Sequence, residues 1–110
     1  MTLLQEMDRD EKRRREEMRL GVRAELRAAL RELLPAQTVV VFGSLVKPDC
    51  FSEVSDIDLA IESEPAGMTV YGLISLFGER LGRRVDIVLL PECRFRDRIL
   101  REGEVWTPQG

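Results

Sequence analysis

VFGSLVKPDCFSEVSDIDLAIE, residues 41–62, sets a Gly-Ser pair at the end of one apolar run and an Asp-x-Asp pair at the start of the next. The run Thr38, Val39, Val40, Val41, Phe42 is β-branched, too short for a helix and closed by Gly43, so it reads as a buried strand. Residues 45–54 read as irregular, with Pro48 and Asp49 as turn signals. From Ser55 to Glu62 apolar and polar residues alternate, which makes a second strand with Ile57, Leu59 and Ile61 on one face and Asp56, Asp58 and Ala60 on the other. Asp56 and Asp58 then share a face about 6–7 Å apart at the backbone.

Two carboxylates that close repel each other and lose hydration, a cost relieved by water or by a divalent cation. Mg²⁺ suits them, being a hard ion bound through one or two carboxylates together with substrate phosphates. Asp86 is the third candidate, because it interrupts the apolar run Val85, Ile87, Val88, Leu89, Leu90, and a lone charge there calls for a partner. Gly43 lets a backbone approach a ligand closely, and the Ser44 hydroxyl with the amides after it can bind phosphate oxygens. Taken singly, an Asp-x-Asp pair fits a solvated sheet face and Gly-Ser fits an ordinary turn. Their order along the chain is what points to metal-held nucleotide. A calcium loop starting at Asp56 is excluded, since Ala60 and Ile61 break its pattern.

Outward from this stretch, Thr2 and Gln5 form a capping pair for a long N-terminal helix that ends at Pro35, with Val22, Leu26, Ala29, Leu30 and Leu33 at helical spacing. Its first half is nearly all charge, with little to bury beyond Leu3, Leu4 and Met7, so a continuous helix projects from the domain. Lys12 to Arg15 are flanked by acids and read as a solvated face laced with i,i+4 pairs, not as a nucleic-acid patch. Residues 68–81 predict a helix stopped by Gly82, and residues 84–90 a third strand stopped by Pro91. Residues 94–101 predict a short helix with Phe95, Ile99 and Leu100 inward, followed by a last apolar pair, Val105 and Trp106. The order α-β-β-α-β-α is a single α/β (α+β) domain over 1–110, a small mixed sheet backed by helices.

The chain of 110 residues carries a net charge of −3 with 34% charged residues, so a broad nucleic-acid footprint is not expected. Histidine is absent, which excludes Ser-His-Asp and Cys-His nucleophiles and the commonest zinc sites. Cys50 and Cys93 read as free thiols, buried or incidental. No apolar run reaches a membrane span or a signal peptide, and the expected location is the cytoplasm.

Gly43, Ser44, Asp56, Asp58 and Asp86, with the closing segment ILREGEVW at residues 99–106, resemble the minimal nucleotidyltransferases of the DNA polymerase β-like nucleotidyltransferase superfamily. The resemblance covers residues 38–106, which it implies to be the catalytic core behind the helix of residues 1–35. It implies the nucleotidyltransferase fold and transfer of AMP from ATP to a hydroxyl, with Asp56, Asp58 and Asp86 holding two Mg²⁺ ions. Gly43, Ser44 and Lys47 would bind the phosphates. Relatives of this size pair, as antitoxins, with an all-helical HEPN toxin and add AMP to it, which makes such a toxin the expected partner and acceptor. The projecting helix and the Val105–Trp106 pair are the expected docking surfaces, and packing of that helix on its own domain or in a homo-oligomer stays open. Lys47 fits the family's basic segment after Gly-Ser, but the first arginine of that segment is missing at Leu45 and Pro48 stiffens it, so the alternative is a weakly catalytic module that neutralises its partner by contact.

Overall fold

Thr2 starts the first helix as the sequence predicts: its hydroxyl accepts from the Gln5 amide at 3.2 Å, and the Gln5 side chain accepts from the Thr2 amide at 2.9 Å. The computed structural model describes residues 2–108. Helix α1, Leu3–Leu33, is one continuous rod whose buried side chains begin only at Arg19 and continue through Val22, Leu26, Ala29 and Leu30. Its first half stands in solvent, with Leu3, Leu4 and Met7 exposed and short-range pairs such as Lys12–Asp8 (3.4 Å) and Arg13–Asp10 (3.2 Å) along its sides. That arm sets the 56 × 28 × 24 Å proportions of the molecule. No helix among the described residues is long and apolar enough to cross a membrane.

Strands β1 (Val39–Phe42), β2 (Ile57–Ile61), β3 (Val85–Leu89) and β4 (Glu104–Trp106) form a mixed sheet in the order β3-β2-β1-β4. β1 runs antiparallel to both neighbours, while β2 and β3 are parallel, joined by helix α2 (Val70–Leu81) as a crossover. Thr69 caps α2 by accepting from Gly72 at 3.1 Å, and Gly82 ends it at φ 63°. Val39, Val41, Ile57, Leu59, Ile61, Val85 and Ile87 put one sheet face under α1 and α2, against Leu26, Leu73 and Phe77. Burying this face supplies most of the folding drive.

The other face is covered only in part. Helix α3, Arg96–Glu102, lays Ile99 over Val40 and Ala60 beside Leu90. Ala60 is therefore fully buried although it lies on the polar side of the alternation, since a second layer sits on it. Phe95 and Leu100, expected inward, are exposed: Phe95 precedes the helix, and Leu100 lies about 100° round from Ile99. A Cβ on Gly103 would meet the Ile99 carbonyl at 2.7 Å and Val40 Cγ1 at 2.8 Å, so glycine permits the tight return from α3 to β4.

β4 was not expected. It pairs Trp106 with Val39, and Arg23 and Arg27 of α1 place their guanidinium groups 5.1 and 4.2 Å from the indole centroid. Arg23 also makes two hydrogen bonds to Glu104, at 2.8 and 3.1 Å, which hold that carboxyl below its ordinary pKa. Trp106 is thus buried in its own domain instead of being offered for docking, and only Val105 of the pair is exposed. Both cysteines are free thiols, but Cys50 is exposed, not buried.

Candidate active site

Gly43 ends β1 at φ +79°, a backbone region that glycine enters without strain, and begins a 3-10 turn, Gly43–Val46. This turn occupies the start of the segment expected to be irregular. A Cβ at Gly43 would overlap the carboxylate of Asp58 and lie 3.2 Å from its Cγ. Bare backbone and carboxylate therefore face each other with nothing between them. The turn is held from below. Leu45 is fully buried, and Arg19 of α1 donates to its carbonyl at 2.9 Å while bound by Glu16 at 2.9 and 2.6 Å.

The chain from Phe51 to Asp56 is held in a similar way. Phe51 is buried, and the Arg83 guanidinium lies 4.8 Å from its ring centroid. Arg83 Nη1 also donates to the carbonyls of Ser52, Glu53 and Ser55 at 3.3, 3.3 and 3.2 Å. Arg83→Ala should lower stability by about 2 kcal/mol and speed amide exchange in residues 51–56 with little change in the β1 amides. Uniform exchange in the variant would show that Arg83 does not position this loop.

Asp58 sits in β2 in register with Phe42 of β1 and Asp86 of β3. Its side chain lies on the incompletely covered face, and its pKa is pushed up to about 6, first by burial and then by the charges of Asp86 and Asp56. Asp86 is exposed on the edge strand, so the tension in its apolar run is eased by solvent; its neighbour in register is another acid. Asp56 lies just before β2, acts on Asp58 through its charge, and has Arg84 at 3.8 Å with both side chains substantially exposed. Among the described residues no three acidic, imidazole or thiol side chains stand together in ligating geometry. The fit to a divalent cation rests on Asp58 and Asp86: adjacent like charges, a raised pKa at Asp58, hard oxygen donors, and the bare backbone of Gly43 against the Asp58 carboxylate.

A cleft of about 370 Å³ opens over this corner. Phe42, Gly43, Asp58, Asp86 and Val88 form its floor, Lys47 also lines it, and a wall is formed by Phe95, just before α3, with Arg98 and Glu102 of that helix. Ser44 is the second residue of the turn, where its carbonyl accepts from the Lys47 amide at 3.1 Å, and it stands outside the lining of the cleft. Phe95 and Arg98 were missed by sequence reasoning, although the dense arginines from Arg94 to Arg101 suit a solvent-facing helix better than an inward one. A larger groove, about 620 Å³, is lined by Gln5, Asp8, Arg9 and Lys12. All four come from one exposed stretch of α1, so among the described residues no second wall stands opposite to hold a ligand.

A family model described as nucleotidyltransferase domain matches residues 23–105. The match spans Gly43, Ser44, Asp56, Asp58 and Asp86. It starts inside α1, close to where that helix begins to bury side chains, and not at residue 38. No curated protein and no solved structure matches the chain.

Proposed function

The chain belongs to the nucleotidyltransferase domain family, and from that premise we propose that it transfers AMP from ATP to a hydroxyl of a partner protein, as the antitoxin of a helical HEPN toxin. The observation that carries the transferase reading is the pair Asp58 and Asp86, adjacent in register, with Asp58 facing the bare backbone of Gly43. Such an arrangement suits a site for a cation and a polyphosphate better than a structural turn, because crowding two acids in a half-buried corner costs stability unless a ligand offsets it.

In this reading Asp58 and Asp86, joined by Asp56, would hold Mg²⁺, two ions in the active complex. Bound there, Mg²⁺ neutralises triphosphate charge and lowers the proton affinity of the attacking hydroxyl. Gly43 admits the phosphates to backbone distance, and the Ser44 hydroxyl and Lys47 ammonium bind the β and γ groups. The acceptor oxygen bonds to the α-phosphorus as the bond to the bridging α,β-oxygen breaks, and pyrophosphate leaves with that electron pair. The acceptor's proton passes by way of the exposed Asp86 to water. Among the described residues the site has one wall beyond the sheet, and its open side is where a partner would deliver the acceptor hydroxyl.

The contact-only module is the second reading. It is favoured by Leu45, which the turn buries in the core, so the position after Gly-Ser brings no cation to the cleft. Purified protein with labelled ATP, Mg²⁺ and the product of the neighbouring gene separates the two. Label on the neighbour, lost with Asp56→Asn/Asp58→Asn, supports transfer. Neutralisation of the neighbour that survives the double substitution, without label, supports contact alone.

A further inference from the structure

Building on the nucleotidyltransferase reading, we propose that α3 is the nucleotide-binding wall of the cleft, with Arg98 binding the triphosphate and Phe95 stacking against the nucleobase. The floor of the cleft is acidic, through Asp58 and Asp86, so a polyphosphate entering it needs cationic side chains as well as metal. The turn after Gly43 contributes only Lys47 to the lining, because Leu45 points into the core. Arg98 is the other cation that lines the cleft, and its planar fork matches two phosphate oxygens at once.

Its present partner is weak. Arg98 Nε lies 3.3 Å from Glu102 Oε2, one helical turn on, with side chains 64% and 43% exposed, and a pair of that kind gives way readily to a phosphate. Phe95, three residues earlier and so on the adjoining stretch of wall, is 63% exposed and lines the cleft together with Val88 and Cys93. Leaving an aromatic ring in water forgoes the stabilisation that burial would bring. A ring beside a polyphosphate site gives a base the π-face that stacking requires. The cleft volume of about 370 Å³ is in the range of small-ligand sites.

Calorimetry with Mg²⁺ and α,β-methylene-ATP, which the enzyme cannot cleave, tests this, with inorganic tripolyphosphate as a probe of the phosphate half. Arg98→Ala should weaken both ligands by about tenfold, and Arg98→Lys should recover only part of the loss. Phe95→Leu should weaken the nucleotide by about tenfold and leave tripolyphosphate unchanged. Both residues are exposed, so unchanged circular dichroism is expected of each variant. In a Cys50→Ser background, the nucleotide should also slow alkylation of Cys93. Variants that bind the nucleotide within about twofold of the parent chain overturn this inference and leave the transferase reading standing. A parent chain that binds neither ligand overturns both.

Discussion

Gly43→Ala should reduce nucleotide transfer at least about 100-fold and lower stability by about 2 kcal/mol. The position needs φ +79°, which alanine adopts only with strain, and the added methyl would overlap the Asp58 carboxylate. One substitution therefore strains the turn and displaces the central acid of the site. The two effects separate experimentally, because label transfer measured well below the variant's own melting temperature reports the site alone. A variant that is less stable yet transfers label at the parent rate would show that close backbone approach plays no part in the chemistry.

Asp58→Asn should lower transfer by about three orders of magnitude while making the metal-free protein more stable at neutral pH. The Asp58 carboxyl titrates near 6 in the fold against 3.8 in the ordinary state, so between those values the folded protein keeps a proton that the unfolded chain has lost. Its raised pKa thus penalises the fold progressively as pH climbs from about 4 through about 6. Asparagine cannot ionise and escapes the penalty. Allowing for the solvent that still reaches this half-buried group, the variant should gain about 1 kcal/mol at pH 7.5, or about 4 °C in Tm, and the gain should vanish below pH 4. Thermal unfolding of both proteins across pH, in chelator, measures this. Mg²⁺ with nucleotide should stabilise the parent and close the gap.

Much of the architecture was legible because local rules and tertiary packing agree. Thr2 and Gln5 announced the start of α1, Gly82 the end of α2, and the alternation through Ile57, Leu59 and Ile61 the buried face of β2. β4 was not legible, since three residues carry no period and are made a strand by the pairing of Trp106 with Val39. The inward assignment of Phe95 and Leu100 failed because α3 covers only a corner of the sheet, and only the stripe through Ile99 meets it.

Of the site, the spacing of Asp56 and Asp58 and the isolation of Asp86 were visible. That Asp58 and Asp86 stand in the same register was not, because it depends on how the α2 crossover sets β3 beside β2. Arg19 and Arg83, which hold the turn and the loop flanking the acids, act on carbonyls 26 to 31 residues away. Reach of that kind leaves no periodic trace in a sequence.

At the centre stands one claim, that Asp58 and Asp86 share a divalent cation beside Gly43. Electron paramagnetic resonance titration of Mn²⁺ in the presence of α,β-methylene-ATP tests it most directly, by counting the ion that leaves solution. The parent chain should hold Mn²⁺, and Asp58→Asn and Asp86→Asn should each weaken it at least about tenfold. Equal Mn²⁺ uptake by the parent and both aspartate variants would contradict it.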